Sequence, residues 1–254
     1  MNSSVYQYLL EKIKDRGAVY AVLIDPDRKN DANIEKYVEA VNTSDVDLIL
    51  VGGSLMMDSR CHDRTRRIKE NSAVPVVFFP GGLSQLSPHF DAMLFMSILS
   101  GRNPHYLIGE QVMAAPIVHD MGIETIPTGY LLVNGGIPTT VQFMSNTTAI
   151  PANRPNITVA HALAAQYLGM KLVYLEAGSG ASQAVPTEMV QAVASVLDIP
   201  ILVGGGLRSP EDCADRIEAG AGFIVMGTRL ESDPGLGLLR ELTAASHPRE
   251  MIEV

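Results

Sequence analysis

Tryptophan is absent from the chain, and cysteine and aromatic residues are scarce. Aromatic residues make up only 6% of the 254 residues, and there are two cysteines. Both of these, Cys61 and Cys213, fall within predicted helices, and neither has the sequence spacing of a metal ligand. Two such cysteines exclude a disulfide-stapled secreted domain and favour a reducing compartment.

Long apolar runs and a secretion signal are also missing. No uninterrupted apolar segment approaches the roughly 18 residues that a membrane-spanning helix requires. The helical pattern at residues 1–17 is amphipathic and carries charges throughout, unlike the apolar centre of a signal peptide. We therefore expect a soluble, cytoplasmic protein.

Basic residues are outnumbered: 19 Lys and Arg stand against 28 Asp and Glu, for a formal net charge of -9. This balance argues against nucleic acid as a partner, because nucleic-acid affinity depends on a basic surface. One dense basic run occurs, formed by Arg64, Arg66, Arg67 and Lys69 on a predicted helix. We interpret it as a solvated helix face.

Hydrophobic residues are plentiful at 46%, against 19% charged residues, which is typical of an α/β enzyme built from aliphatic side chains. Eight short apolar segments, such as Leu48–Val51, alternate with helical patterns and end at Gly, Ser, Pro or an acidic residue. The pattern predicts a single domain over residues 1–254 with the (β/α)8 fold of a TIM-type barrel. No GxGxxG fingerprint follows the first strand, which disfavours a doubly wound sheet.

The alternation falters after the third predicted strand, Val76–Phe79. Only Leu83–Asp91 separates this strand from the next one, Ala92–Phe95, and the connection contains Pro88. A parallel crossover with a full helix needs a dozen or more residues. We predict that the third helix is missing or reduced, which would leave an apolar groove along the barrel wall.

A second irregular segment, Asn134–Asn156, is rich in Gly, Pro, Thr and Asn. We expect it to be a loop. A loop of this length in a compact domain is usually a lid or a binding segment.

The run Leu172–Ala181, LVYLEAGSGA, is an apolar strand that stops at Glu176 and continues in small residues. Small residues without a large side chain let the backbone approach a ligand closely. Two later strands, within Ile201–Gly206 and Phe223–Thr228, also end in glycine. Three such ends on one edge of a parallel sheet predict a polar, phosphorylated ligand.

The loop after the seventh strand combines glycines with a helix start. Gly204–Arg208 leads into Ser209, which suits an N-cap, and Asp212 follows at the position of a capping box. Glycine N–H groups and a helix N-terminus together attract anions. With Gly227 and Thr228 after the eighth strand, they predict the phosphate site that barrels build from these two loops.

Four further residues at strand ends have two interpretations each. Asp25 and Ser54 end the first two strands and could share Mg2+ with water and a substrate phosphate, although an Asp-Pro turn and a capping serine are the commoner explanation. Tyr174 is either a core aromatic or a ligand contact. Glu176, with no cation beside it in sequence, either binds substrate hydroxyls or acts as a base.

Five short motifs at predicted strand ends occur together: Asp25-Pro26-Asp27-Arg28, Gly52-Gly53-Ser54, YLEAGSG at 174–180, GGGLR at 204–208, and Gly227-Thr228. In combination they resemble the geranylgeranylglyceryl phosphate synthases, a family that also contains the bacterial PcrB proteins. The resemblance covers nearly the whole chain. It implies a barrel without its third helix that transfers a prenyl group from a polyprenyl diphosphate, here geranylgeranyl, to the C3 hydroxyl of sn-glycerol 1-phosphate, using Mg2+ and releasing diphosphate.

The resemblance also implies roles for individual residues. It assigns Mg2+ to Asp25 and Ser54, and our hypothesis is that Glu176 accepts the proton of the attacking hydroxyl. A lipid product implies transient membrane contact without an anchor, and apolar surface beside a missing helix favours a homo-oligomer. The residues assigned to sn-glycerol 1-phosphate are Tyr174, Leu175, Glu176, Ala177, Gly178, Ser179, Gly180, Gly205, Gly206, Gly227 and Thr228.

Two other functions use the same features. Phosphosugar isomerases and FMN-dependent barrels share the phosphate site of loops seven and eight. A non-catalytic binder of glycerol phosphate or prenyl lipids would need the same pocket and groove. Isomerase activity, a bound yellow cofactor, or binding without turnover would identify these alternatives.

Overall fold

A computed structural model of the chain describes residues 4–227 and 236–248. Eight parallel strands form a closed barrel, in which each strand pairs with the next along the chain and the last pairs with the first. This confirms the predicted TIM-type (β/α)8 fold. The strands are β1 Val19–Ile24, β2 Leu48–Val51, β3 Val76–Phe78, β4 Ala92–Ile98, β5 Glu124–Leu132, β6 Leu172–Glu176, β7 Ile201–Gly204 and β8 Phe223–Met226.

Helices surround the barrel, and among those described none is long and apolar enough to cross a membrane. Short 3-10 turns occupy Arg28–Asn33 and Leu83–Gln85, and a π-helical turn occupies His105–Gly109. The α-helices are α1 Val5–Arg16, α2 Ile34–Asn42, α3 Cys61–Asn71, α4 Glu110–Met121, α5 Thr140–Ser145, α6 Pro155–Tyr167, α7 Thr187–Ala194, α8 Pro210–Glu218 and α9 Leu236–Ser246.

The strands are apolar on both faces because the barrel has two cores. On β6, Leu172 and Tyr174 face the interior of the barrel, while Val173 and Leu175 pack in the layer between barrel and helices. Side chains therefore alternate between the two cores along each strand. A residue that follows a strand in the inward register is placed over the mouth of the barrel.

Helix α1 closes the amino-terminal end of the barrel. The carboxylate of Glu124, at the start of β5, accepts hydrogen bonds from the N–H groups of Val5 (2.6 Å) and Tyr6 (3.1 Å). Leu9 from the same helix packs into the interior core. Since this end is covered, ligands must approach the carboxyl ends of the strands, where barrel enzymes have their active sites.

The predicted loss of the third helix is confirmed. Between β3 and β4, a stretch that is described in full, the 3-10 turn Leu83–Gln85 is the only helical piece. Phe90 from this connection stacks on Phe78 of β3, with ring centroids 4.8 Å apart. A short apolar plug thus covers part of the barrel wall that a helix would otherwise cover.

The prediction of a loop over Asn134–Asn156 is wrong in part. Helix α5 lies within it, and α6 already begins at Pro155. The segment is anchored at its start by a bridge between Val133 and Ile150. It is therefore a structured connection between β5 and α6, and we refer to residues 133–154 as the β5 connection.

Candidate active site

Glu176 is the last residue of β6 and lies over the barrel mouth. It is 5% exposed, and its Oε1 accepts a hydrogen bond of 2.6 Å from the N–H of Gly178. Burial raises the pKa of the Glu176 carboxyl above its ordinary value, against the opposing effect of hydrogen bonds from Tyr174 and the Gly178 N–H. A buried carboxylate with a raised pKa at a strand's carboxyl end is a candidate proton acceptor.

Tyr174 lies two residues before Glu176, so both side chains face the barrel interior without a kink in the strand. Its hydroxyl is hydrogen-bonded to the Glu176 carboxylate, and burial together with that negative charge raises the pKa of Tyr174. The ring packs against Phe79 and Tyr130, each with its centroid 5.5 Å away. Tyr174 is therefore both a core aromatic and a hydrogen-bond donor to Glu176.

The glycines after β7 contact the loop after β6 directly. Gly205 and Gly206 have positive φ angles of 75° and 72°. A Cβ at Gly205 would overlap Glu176 Oε1, and a Cβ at Gly206 would come within 2.6 Å of the Gln183 carbonyl. Within the described part of the chain, neither glycine N–H donates a hydrogen bond. Two backbone donors, on a loop that contacts Glu176 through Gly205, are thus available to an anion.

The predicted capping box at the start of α8 is confirmed. Ser209 Oγ accepts from the Asp212 N–H (3.1 Å), and Asp212 Oδ2 accepts from the N–H groups of Ser209 (3.1 Å) and Arg208 (2.8 Å). The Asp212 carboxylate thereby takes the N–H groups at the helix start. Of the donors predicted for an anion in this loop, the N–H groups of Gly205 and Gly206 are the ones that stay unpaired within the described chain.

The remaining residues of the predicted glycerol phosphate set are distributed around these loops. Gly178 is buried, whereas Ser179 and Gly180 are exposed at the rim. Leu175 and Ala177 have side chains in the core between barrel and helices. Gly227 follows β8 and packs on β1, where a Cβ would lie 3.2 Å from the Leu23 carbonyl oxygen. Thr228 lies outside the described residues.

The loops after β1 and β2 meet on the other side of the mouth. The Asp25 carboxylate lies against Gly53, where a Cβ would come 3.0 Å from its Cγ, and Lys29 Nζ is 3.5 Å from Asp25 Oδ2. Ser54 follows Gly53 and is exposed. It is not the N-cap of α3, which begins at Cys61, so the interpretation of Ser54 as a capping serine is wrong.

Asp27 connects these two loops from below. Its Oδ1 accepts from the Lys29 N–H (3.2 Å), and its Oδ2 accepts from the Met57 N–H (2.9 Å). The residue is 8% exposed. Asp27 therefore orients the loops, and Asp25 is the carboxylate that faces the mouth.

Arg64 was predicted on a solvated face, and this is wrong because its side chain is only 1% exposed. It makes two hydrogen bonds to the Asp58 carboxylate (2.6 and 2.8 Å) and one to the Pro26 carbonyl (3.3 Å). The guanidinium lowers the pKa of Asp58 to about 2. Arg64 thus ties the loop after β1 to the loop after β2.

The donor set around Asp25 fits a magnesium ion that is shared with a substrate. Among the described residues, no group of three or more His, Cys, Asp and Glu side chains is close enough to enclose a metal. Mg2+ usually takes one or two protein oxygens and fills its other positions with water and substrate phosphates. A carboxylate at Asp25 and a hydroxyl at Ser54, on loops in contact, match that pattern.

An apolar groove lies where the third helix is missing. It begins at Gly81, whose backbone packs so tightly on Gly53 that a Cβ would overlap the Gly53 carbonyl oxygen. The groove therefore opens beside the Asp25 loop and runs down the barrel wall. Its apolar lining includes Phe78, Leu86, Met93, Met96, Tyr106 and Ala114.

Sequence reasoning missed Gln85, which fixes the loop between the groove and Asp25. Its side chain donates to the Gly53 carbonyl (2.7 Å) and accepts from the Gly53 N–H (3.3 Å). Gln85 sits in the short turn that replaces the third helix, and an isolated polar residue there gave no signal. Arg64 could have been found, because it falls on the buried stripe of α3, which consists of Cys61, Arg64, Thr65 and Ile68 at helical spacing.

Known proteins of one family resemble this chain in sequence and in fold. The model of the PcrB family matches residues 10–245. A geranylgeranylglyceryl phosphate synthase of Chitinophaga pinensis is 40% identical over 97% of both chains, and one of Korarchaeum cryptofilum is 42% identical over 91% of this chain and 96% of its own. The crystal structure of (S)-3-O-geranylgeranylglyceryl phosphate synthase from Thermoplasma acidophilum, in complex with its substrate sn-glycerol-1-phosphate, superposes with a TM-score of 0.88 at 36% identity, covering 97% of this chain and 99% of that one.

Proposed function

The chain belongs to the PcrB family and is a prenyltransferase, and we propose that it joins geranylgeranyl diphosphate to the C3 hydroxyl of sn-glycerol 1-phosphate through an ether bond, releasing diphosphate. One observation carries this proposal. A buried carboxylate lies beside glycine N–H groups that make no hydrogen bond within the described chain, and this carboxylate and an apolar groove open onto the same rim of one barrel. A small anionic polyol fits the first, and a polyprenyl chain fits the second.

On the acceptor side, the N–H groups of Gly205 and Gly206 bind the phosphate of sn-glycerol 1-phosphate. Glu176 is next to them, since a Cβ at Gly205 would overlap its Oε1. A phosphate on the glycines therefore places the glycerol hydroxyls within reach of this carboxylate. Hydrogen bonds from Tyr174 and the Gly178 N–H hold Glu176 in one orientation.

On the donor side, the prenyl chain lies in the groove with its diphosphate at the Gly81 end. Asp25 and Ser54 are the residues that would hold Mg2+ there. A Mg2+ ion held by these residues would supply positive charge that offsets the charge left on the diphosphate. The apolar lining of the groove excludes water from the chain and keeps its C1 atom at the rim.

The reaction forms a bond between the glycerol C3 oxygen and the prenyl C1 as the bond from C1 to the diphosphate oxygen breaks. The proton of the attacking hydroxyl passes to Glu176, directly or through a water molecule. Because its pKa is raised by burial, the carboxylate is a better proton acceptor than an exposed glutamate. The neighbouring Tyr174 hydroxyl donates a hydrogen bond to the carboxylate and holds it in the orientation in which it accepts the proton.

The test is incubation of the protein with radiolabelled sn-glycerol 1-phosphate, Mg2+ and prenyl diphosphates of several lengths. We expect label in a lipid extract, with the highest turnover for geranylgeranyl diphosphate. Tight binding of both ligands without a lipid product would favour the non-catalytic binder. A preference for another chain length would keep the reaction and correct the donor.

We further propose that the protein forms a homo-oligomer through the outer face of α4. Val112 and Met113 on α4, and Ile108 in the π-helical turn just before it, lie beside the groove and are 64%, 47% and 58% exposed. Apolar clusters of this kind on a protein surface mark interaction sites. Sedimentation velocity is expected to show a species larger than the 27.3 kDa monomer, and a purely monomeric protein would contradict this. Separately, the lipid nature of the proposed product implies transient contact with membranes.

A further inference from the structure

Thr139 stands directly before α5, in the β5 connection, and its side chain does not cap that helix. The backbone carbonyl accepts from the Phe143 N–H (3.1 Å), but the hydroxyl makes no capping bond. Threonine at this position normally uses its side-chain oxygen to accept an N–H group of the first turn. Here the side chain turns instead toward the loop after β6.

The side chain packs against Gly178, within the proposed glycerol phosphate site. A Cβ at Gly178 would overlap the methyl carbon Cγ2 of Thr139 and would lie 2.8 Å from its Cβ and 2.9 Å from its Oγ1. Gly178 is also the residue whose N–H binds Glu176. Thr139 therefore contacts the same glycine that hydrogen-bonds Glu176, the carboxylate that is proposed to accept the proton.

The hydroxyl is buried and has no hydrogen-bond partner within the described residues. Thr139 is 7% exposed, so it is shielded from bulk water. Nearly all buried polar groups are hydrogen-bonded, because an unpaired one is unfavourable. A hydroxyl that gives up its capping bond and remains unpaired beside a ligand loop requires a partner from outside the chain.

The position of Thr139 is fixed by the chain around it. The Gly135 carbonyl accepts from the Gln183 N–H (3.0 Å) and from Ser182 Oγ (2.9 Å). These bonds fasten the start of the β5 connection to the far end of the loop after β6. The backbone that leads into Thr139 is thus held against the loop after β6 by bonds within the chain.

We propose that the Thr139 hydroxyl is a substrate-binding group that hydrogen-bonds an oxygen of the bound polyol phosphate. The β5 connection then forms a further wall of the site, opposite the glycines after β7. This inference rests on the proposed function for the identity of the ligand, sn-glycerol 1-phosphate. It adds a side-chain contact to a site otherwise composed of Glu176 and backbone N–H groups.

The test compares Thr139→Val, Thr139→Ser and the unchanged protein by calorimetric titration with sn-glycerol 1-phosphate, without a prenyl donor. Valine keeps the shape of threonine but has no hydroxyl, so we expect affinity to fall about tenfold or more. Serine keeps the hydroxyl, and its affinity is expected to stay within about threefold. Thr140→Val is the matched control, because Thr140 is the next residue and is exposed.

Melting temperatures of the ligand-free proteins separate binding from folding. Thr139→Val should melt at the same temperature as the unchanged protein or higher, since it removes an unpaired buried hydroxyl. Unaltered affinity in Thr139→Val would overturn the proposal, and so would equal losses of affinity and melting temperature in both variants. If the unchanged protein itself fails to bind sn-glycerol 1-phosphate, the proposed function fails first, and this inference fails with it.

Discussion

Replacement of Glu176 by glutamine is expected to change turnover and stability in opposite directions. Glutamine keeps the size of the side chain and an oxygen that can accept the Gly178 N–H, which lies 2.6 Å from Glu176 Oε1. It does not provide a basic proton acceptor. General bases contribute about 100- to 10,000-fold to rates, equivalent to about 3–5 kcal/mol in the barrier. Turnover should fall by that factor, with a small change in affinity for sn-glycerol 1-phosphate.

The effect on stability follows from the raised pKa of Glu176, which burial causes. Between the pKa of the unfolded chain and the raised pKa of the folded protein, the folded state binds more protons. Stability therefore falls as the pH rises through this window. Above it, the ionised carboxylate destabilises the fold by about 1.4 kcal/mol for each unit by which its pKa is raised. Glu176→Gln has no charge to bury and should melt at a higher temperature at neutral pH.

The same pKa sets the acid limb of the rate profile. Turnover requires ionised Glu176, so the rate of the unchanged enzyme should fall at a pH above the ordinary titration range of glutamate. The stability gain of Glu176→Gln should shrink as the pH is lowered through the same window. Both effects come from one group, and their pH ranges must coincide.

Steady-state turnover, calorimetric binding of sn-glycerol 1-phosphate and scanning calorimetry at several pH values test the three statements. Glu39→Gln, on the exposed face of α2, is the control for loss of one negative charge. Near-normal turnover of Glu176→Gln would refute the proton-accepting role. A lower melting temperature that is independent of pH would refute the assignment of the raised pKa to an unfavourable buried charge.

Three further predictions concern the loops and the groove. Asp25→Ala should raise the Mg2+ concentration for half-maximal turnover by about tenfold or more, or abolish activity; an unchanged metal dependence would remove Asp25 from the site. Arg64→Met should lower the melting temperature by roughly 5–10 °C. This is more than we expect for Arg66→Met, because the Arg66 side chain is 43% exposed. Equal decreases in melting temperature would contradict the role of Arg64 in tying the two loops together. Ala114→Phe fills the groove below the rim, because α4 runs antiparallel to the strands. It should reduce turnover with geranylgeranyl diphosphate about tenfold or more, while a shorter prenyl diphosphate is still used. Equal losses of turnover for all donor lengths would show that the prenyl chain lies elsewhere.

The barrel could be predicted because its signals are local. A strand buried on both faces must be a continuous apolar run, and Leu48–Val51 was predicted with the bounds that the structure shows. The missing third helix was predicted from the length of the connection between the third and fourth strands, since nine residues cannot form a full crossover. The side of the sheet that carries the site followed from the direction of parallel strands.

The contacts that complete the site are not local, and the sequence did not predict them. Arg64 is buried because Asp58 and the Pro26 carbonyl, from two different loops, surround it. Thr139 faces Gly178, which is 39 positions further along the chain, and only the packing of the β5 connection brings the two together. Such pairings depend on loop conformations for which periodicity carries no information.

The two halves of the site lie on different arcs of the barrel, and its interior joins them. Asp25 and the groove belong to β1–β4, while Glu176 and the glycines belong to β6 and β7. Phe79, which follows β3, contacts the ring of Tyr174, whose hydroxyl binds Glu176. Packed aromatic side chains in the barrel interior thus connect the Asp25 half of the site with the Glu176 half. The proposed reaction needs such an arrangement. Glycerol phosphate requires polar surroundings and the prenyl chain requires apolar ones, but their reacting atoms must meet at one point. A closed barrel supplies both on one rim, which an open sheet with a single crevice does not.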